Sequence, residues 1–152
     1  MRLVLDTNVW LDWLVFEDPQ IAPLRAVHAS GKALVYIDAP CESELQRVLA
    51  YRLRKDTLDI GAQAAALAAC RQAAIPLTSP QPLAASAVPA LPLCRDADDQ
   101  KFLELARAAR ADFLLTKDRA LLELARRKYE PIGFRILTPP AFNLHLQDSA
   151  LA

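Results

Sequence analysis

The sequence predicts a three-layer α/β/α fold, with a mostly parallel central sheet of four or five strands and helices on both faces. One observation behind this prediction is that short, continuously apolar segments, typical of buried strands, alternate with segments whose apolar residues recur at helical spacing. The other is the order of these segments along the chain, which is strand, helix, strand, helix. This order favours parallel strands, whose connections must run back over a face of the sheet.

Four segments predict buried strands and four predict helices. The strand segments are residues 2–6, 33–38, 111–116 and 134–138. The helical segments are residues 19–30, 40–55, 96–111 and 118–128. Gly31 directly follows the first helical segment and is a common helix stop, and Pro40 suits the first turn of the second segment.

One stretch interrupts the alternation of strand and helix. Residues 58–74 form an alanine-rich helical segment with no clear strand after it, and the prolines of residues 76–92 argue against a continuous helix there. The N-terminal half has too few strands to form a sheet of its own. We therefore predict one domain over residues 1–148, with residues 76–92 as an internal extended connection and residues 149–152 as a C-terminal tail.

Length, composition and charge restrict the class of protein. The chain of 152 residues has the size of one ordinary domain, and although 53% of its residues are apolar, no apolar run approaches the length of a membrane span. The net charge is zero, so any attraction to nucleic acid must be local. A strand pattern follows Met1 directly, so we expect no secretory signal. The separated cysteines Cys41, Cys70 and Cys94 argue against a disulfide framework or a zinc site and predict a reducing, cytoplasmic location.

Four acidic residues fall near the predicted carboxyl ends of strands or at the starts of helices. Asp6 ends the first strand, Glu44 lies in the first turns of the helix after the second strand, and Asp118 follows the strand that ends at Thr116. Asp99 lies at the top of the apolar face of its helix. Because ligands bind beyond the carboxyl ends of the strands in such sheets, we expect these side chains to meet at one edge.

Helix capping is the alternative explanation for these acids. An aspartate at a helix N-terminus accepts hydrogen bonds from free N–H groups and interacts well with the helix dipole. Asp96 followed by Asp99 resembles a capping box, and Asp118 suits an N-cap. Asp6 is harder to explain in this way, because the residues after it start no convincing helix. A shared site accounts for all four acids together and is the favoured interpretation.

Carboxylates brought close together repel one another, which raises the pKa of at least one of them unless a cation is present. Oxygen ligands without a histidine or cysteine pattern favour Mg²⁺ or Mn²⁺ over zinc. Such an ion can make a bound water more acidic or hold the oxygens of a phosphodiester. The acidic cluster therefore predicts a metal-dependent nuclease.

Four short motifs occur in the order seen in PIN domains. They are VLDTNV, ESELQRVL, DADDQKFLELA and LLTKDRALL, and the closing GFRILTPPAFNLHL is similar to the last strand and helix of one subfamily. The chain most resembles the VapC-like toxins of bacterial toxin–antitoxin pairs. This resemblance implies a PIN fold and a ribonuclease site that uses Mg²⁺ or Mn²⁺. The implied catalytic and metal-binding acids are Asp6, Glu44, Asp99 and Asp118.

The resemblance also implies auxiliary residues, and it leaves two choices open. Asn8 would be the polar partner beside the first acid, and Thr116 the hydroxyl before the fourth. Asp96 is similar to an additional acid of the subfamily, which either supports the ligands or caps the helix. Helical periodicity does not decide between Asp98 and its acidic neighbours in this segment. It also does not decide between Glu42 and Glu44, where we follow the family pattern of Glu before Leu.

Basic residues near these acids are candidates for RNA contacts, because RNA brought to an acidic pocket needs cations at its rim. Lys117 and Arg119 flank Asp118 and are predicted phosphate contacts. Two further basic clusters lie late on the second helix, at residues 47–55, and at residues 126–128. For both, a solvated helix surface with favourable charges near the helix C-terminus is the preferred explanation over RNA contact.

The function predicted from the sequence is hydrolysis of RNA by a metal-dependent ribonuclease, the toxin of a type II toxin–antitoxin pair. Its partners would be RNA and a cognate antitoxin protein, with a homodimer through the alanine-rich helix as a further option and no membrane. One alternative is a PIN domain that binds RNA or protein without cutting it. A phosphatase of the haloacid dehalogenase type is less favoured, since Asn8 stands where that family has its second aspartate.

Overall fold

A five-stranded sheet lies at the centre of the computed structural model, which describes residues 1–78, 90–126 and 132–151. All of its strand pairs are parallel, and the strand order is β5-β2-β1-β6-β7. The sheet strands are β1 (Arg2–Leu5), β2 (Leu34–Ile37), β5 (Ala74–Pro76), β6 (Phe113–Leu115) and β7 (Arg135–Leu137). A separate antiparallel hairpin contains β3 (Arg52–Leu53) and β4 (Asp56–Thr57).

Seven α-helices in the described ranges flank the sheet and complete a three-layer α/β/α fold. They are α1 (Thr7–Leu14), α2 (Ala22–Ala29), α3 (Ala39–Leu49), α4 (Ile60–Ala73), α5 (Gln100–Ala108), α6 (Arg119–Arg126) and α7 (Pro139–Leu151). None of these helices combines the length and the apolar character that a membrane span requires. The predicted fold class is confirmed.

The order in which successive strands are added to the sheet reverses at β1, while all the strands stay parallel. Leu3 lies beside Val35 of β2 on one side and beside Phe113 of β6 on the other. The first half of the chain adds β2 and β5 on one side of β1, and the second half adds β6 and β7 on the other. A crevice at the carboxyl ends of the strands where the order reverses is the usual ligand site of such sheets.

The middle strands are apolar on both faces, as the sequence pattern predicted. Leu3, Val4 and Leu114 are completely buried, because helices cover the sheet above and below. Helix α5 buries Phe102 and Leu103 against this core. Two acids of the candidate site, Asp6 and Asp118, therefore follow strands that are fully packed in the core.

Several boundaries differ from the sequence prediction. A strand, β5, does follow α4, but it has three residues, lies at the edge of the described sheet beside β2 and includes Pro76, which an edge strand tolerates. Helix α3 ends at Leu49, so the basic residues after it belong to the β3–β4 hairpin, where Arg54 has a positive φ of 54°. Residues 149–151 of the predicted tail belong to α7. The single domain stays a prediction, since the structure describes the predicted connection only at residues 76–78 and 90–92. In the second basic cluster, residues 127–128 lie outside the described residues.

Candidate active site

A cavity of about 190 Å³ lies beyond the carboxyl ends of β1 and β6, and all four predicted acids line it. Its lining residues are Asp6, Thr7, Asn8, Glu44, Val48, Asp99, Phe102 and Asp118. The acids come from four separate elements: the β1–α1 junction, α3, the turn before α5 and the turn before α6. The fold thus brings together side chains that are more than a hundred positions apart in the sequence.

Asp6 connects β1 directly to α1 and is nearly inaccessible to solvent, with 3% of its surface exposed. It is the N-cap of α1, because its Oδ1 accepts the N–H of Val9 at 2.9 Å. The expectation that no helix follows Asp6 was therefore wrong. Thr7 and the residues after it are poor helix formers, but burial of Val9 and Trp10 in the core compensates for their low propensity. Asp6 is both a helix cap and a cavity acid.

Thr116 connects two of the acids. Its side chain is completely buried, and its hydroxyl donates to Oδ2 of Asp6 while accepting the N–H of Asp118 at 2.9 Å. Asp118 in turn caps α6, since its Oδ1 accepts the N–H of Ala120 at 2.7 Å. One buried hydroxyl therefore sets the relative position of Asp6 and Asp118.

Asp99 is a partly exposed acid of the cavity whose pKa is strongly raised. It ends a short 3-10 turn before α5 and is half-buried, and its carboxyl hydrogen-bonds to that of Asp118. Burial, followed by the charges of Asp118 and Asp96, raises the pKa of Asp99 to about 7. Burial also raises the pKa of Asp6, although the hydrogen bonds from Thr116 and Val9 oppose this effect. Negative charge in this part of the cavity is therefore poorly compensated.

The raised pKa of Asp99 predicts a pH-dependent effect on stability. The folded protein holds this proton more tightly than the unfolded chain, whose carboxyl has the ordinary pKa of 3.8, so stability is lost as the pH rises towards 7. Asp99→Asn removes this cost. Without divalent ions, the stability advantage of the variant over the wild type should grow from about pH 4 to about pH 7 and then level off. Urea unfolding at several pH values measures it, and an advantage independent of pH would contradict the assignment.

Glu44 is surrounded differently from the three aspartates. Its Oε2 accepts the hydroxyl of Thr7, and its Oε1 accepts the ammonium of Lys101 at 2.8 Å. Sequence reasoning missed both partners. Thr7 follows Asp6 and could have been considered with it. Lys101 lies 57 positions from Glu44, and no local pattern connects the two.

The structure also places the residues between which the sequence left a choice. Glu44 lines the cavity, whereas Glu42 points to another part of the surface and pairs with Arg71 at 2.5 Å. Asp99 lines the cavity, whereas Asp98 is exposed. Asp96 is exposed and caps the 3-10 turn by accepting the N–H of Asp98 at 3.0 Å.

The remaining auxiliary residues lie in or beside the cavity. Asn8 lines it and is exposed to solvent. Arg119 is exposed and lines an adjoining cavity of about 390 Å³ together with Arg95 and Asp118. Lys117 has a different partner, since its Nζ lies 2.5 Å from Oδ2 of the buried Asp12 on α1.

This Lys117–Asp12 ion pair predicts an asymmetric effect of mutation. Lys117→Met leaves the Asp12 carboxylate buried and unpaired, which should lower the free energy of unfolding by about 2–3 kcal/mol. Asp12→Asn should cost about 1 kcal/mol or less, because the side chain of Lys117 is 43% exposed and its ammonium can reach water. Urea denaturation of both variants measures the difference. Equal losses would indicate that the pair does not behave as a buried ion pair.

The acids fit a hard divalent cation by their chemistry, although their present arrangement is not that of a closed metal site. In the part of the chain that the structure describes, no three acidic, histidine or cysteine side chains converge closely enough to hold one metal ion. The donor atoms in the cavity are carboxylate oxygens, which Mg²⁺ and Mn²⁺ prefer. The raised pKa values of Asp6 and Asp99 reflect mainly burial, with repulsion from neighbouring carboxylates added, and a cation would offset both effects.

A comparison with protein families agrees with the observed fold. The family model described as the PIN domain matches residues 2–120, a range that contains all four cavity acids. No curated protein and no solved structure gives a significant match to the chain. PIN domains are in general nucleases that use divalent metals. The match covers well over half of the chain, and the observed fold agrees with that family. The chain therefore belongs to the PIN domain family.

Proposed function

We propose that this protein is a divalent-metal-dependent ribonuclease that hydrolyses RNA phosphodiester bonds. The observation that carries the proposal is the convergence of Asp6, Glu44, Asp99 and Asp118 on one cavity of a PIN fold, with poorly compensated negative charge at the aspartates. The resemblance of the motifs to VapC-like toxins supports RNA as the substrate. It also supports a role as the toxin of a type II toxin–antitoxin pair, with a cognate antitoxin as partner and a cytoplasmic location.

Asp6, Asp99 and Asp118 would hold Mg²⁺ or Mn²⁺, and Glu44 would complete or orient the set. The bound ion supplies a more acidic water and positive charge for the phosphate. Thr116 orients the Asp6 carboxylate through its hydroxyl, and the helix caps of Asp6 and Asp118 restrict both side chains. Asp99 must lose its proton to bind a cation, so binding should strengthen as the pH rises through about 7.

A specific observation favours the non-catalytic alternative, a PIN domain that binds RNA or protein without cutting. The Asp6 and Glu44 oxygens accept hydrogen bonds from protein donors, and Asp99 and Asp118 bond to each other. The Asp6 and Glu44 carboxylates therefore have hydrogen-bond donors without an ion, as expected of a domain that holds no metal. Membership of the PIN family leaves the phosphatase alternative without support.

RNA cleavage by the purified full chain tests the proposal. End-labelled structured RNAs should be cut in the presence of Mn²⁺ or Mg²⁺, and a chelator should stop the reaction. Asp99→Asn, purified in the same way, should be inactive and so controls for contaminating nuclease. Asp59→Asn is a matched control, because Asp59 is an exposed N-cap of α4 outside the cavity. RNA binding without cleavage would favour the non-catalytic alternative, and cleavage that survives the chelator would contradict metal dependence.

A further inference from the structure

A lysine ammonium lies at the wall of the acidic cavity. Lys101, in the first turn of α5, places its Nζ 2.8 Å from Oε1 of Glu44, and the side chain is 20% exposed. The same Nζ donates to the backbone carbonyl of Asp98 and lies 5.3 Å from the centre of the Phe102 ring. Glu44 and Phe102 both line the cavity, so the ammonium is held beside it by contacts on several sides.

The position of this ammonium divides the cavity acids into two groups. The negative charge of Glu44 is compensated, because its carboxylate accepts hydrogen bonds from the Lys101 ammonium and the Thr7 hydroxyl. The exposed guanidinium of Arg47 also lies 3.9 Å from Oε1. The aspartates form the other group, which lines the same cavity around the Thr116 hydroxyl, a neutral partner of Asp6 and of the Asp118 N–H. The ammonium of Lys117, the residue before Asp118, is paired with Asp12 instead.

A second divalent ion at Glu44 would have to lie next to the Lys101 ammonium or displace it. Repulsion between the two cations opposes the first arrangement, and loss of a well-placed ion pair opposes the second. The aspartate group has no such built-in cation among the contacts described above. Divalent binding is therefore favoured at the aspartates and opposed at Glu44.

We propose that Lys101 takes the place of a second divalent cation, so that the protein binds one divalent ion on the side of the cavity lined by Asp6, Asp99 and Asp118. Such an ion keeps several waters and needs only one or two of these carboxylates as direct ligands. The Lys101 ammonium then provides the second positive charge of the site and can donate hydrogen bonds to a phosphate oxygen. This inference rests on the proposed metal-dependent function. It goes further by assigning the number of ions and the role of a lysine.

Counting bound Mn²⁺ tests the inference without measuring catalysis. Metal-free protein is titrated with Mn²⁺ at about pH 8, above the pKa of Asp99, by calorimetry and by the electron paramagnetic resonance signal of free Mn²⁺. The wild type should bind about one ion per chain. Lys101→Met, which keeps most of the apolar stem, should bind about two, because Glu44 then keeps only the Thr7 hydroxyl and the more distant, exposed Arg47 guanidinium. The double variant Lys101→Met with Glu44→Gln should return to about one.

Two control variants separate the position of the charge from its mere presence. Lys101→Arg keeps a cation beside Glu44 and should bind one ion. Lys32→Met removes an exposed lysine just before β2, at the opposite edge of the sheet from the cavity, and should also bind one. Circular dichroism and thermal melting check that each variant is folded, and Lys101→Gln replaces Lys101→Met if the latter does not fold.

The possible failures are distinguishable. Two ions bound to the wild type, or one ion bound to folded Lys101→Met, would overturn the role of Lys101 and leave a metal-dependent nuclease intact. If the wild type binds no Mn²⁺, both this inference and the metal dependence of the proposed function are wrong.

Discussion

Asp6→Asn is expected to reduce metal-dependent RNA cleavage by about 100-fold or more, since even residues that only support metal ligands typically cost 10–100-fold. Asparagine removes one of the negative charges that would hold the cation, at the least exposed acid of the cavity. The measurement is the single-turnover cleavage rate at saturating protein, with Mn²⁺ and with Mg²⁺.

The fold should survive this substitution. The asparagine oxygen can still accept the N–H of Val9 and cap α1, and a buried carboxylate with a raised pKa is removed. The hydroxyl of Thr116 loses its charged acceptor, so we expect a change in stability of no more than about 1–2 kcal/mol. Asp59→Asn changes the same kind of helix cap outside the cavity and should cleave at the wild-type rate. If folded Asp6→Asn also cleaves at that rate, Asp6 does not take part in the reaction.

Mn²⁺ is expected to stabilise the wild type strongly and Asp99→Asn only weakly. An ion that binds only the folded state contributes about 2.7 kcal/mol at a hundredfold excess over its dissociation constant. For a chain of this size, that corresponds to a rise in Tm of roughly 5–11 °C. Asp99→Asn lacks one of the three carboxylates in the least compensated part of the cavity, so most of this shift should be lost.

The wild type and Asp99→Asn should therefore exchange their order of melting temperature as Mn²⁺ is added. Without the ion at about pH 8, Asp99→Asn should melt at the higher temperature, because it lacks the cost of an ionised Asp99. With the ion, the wild type should melt at the higher temperature. Thermal melting at increasing Mn²⁺ measures the crossing, with Asp59→Asn as a control that should follow the wild type. A wild-type Tm that does not respond to Mn²⁺ would contradict a metal site.

The strands and the acids at their ends could be predicted from sequence because their signals are local. A fully covered parallel strand is a continuous apolar run, as at Leu3 and Val4 or at Leu114, and an acid directly after it must lie at the carboxyl edge. Strand β5 was missed because three residues at a sheet edge, one of them Pro76, carry almost no pattern.

Helix α1 was missed for a different reason. The residues of its first turn, Thr7 to Trp10, have low helix propensity, and its stability comes from the burial of Val9 and Trp10 against the rest of the protein. From the sequence, helix capping and a shared site are competing explanations for Asp6 and Asp118. The structure shows that both residues cap a helix and also line the cavity. A cap uses one carboxylate oxygen, which leaves the other available for a second contact.

The sequence by itself determined the alternation of the long strands and helices apart from α1 and β5, the family, and the four acids that would reach one edge of the sheet. Only the tertiary structure decided which cation faces which acid: Lys101 lies beside Glu44, and Lys117 lies beside the buried Asp12. The physical reason is that an ion pair depends on a separation of a few ångströms between charged atoms. Residues such as Glu44 and Lys101, 57 positions apart, reach that separation only when α3 and α5 pack together.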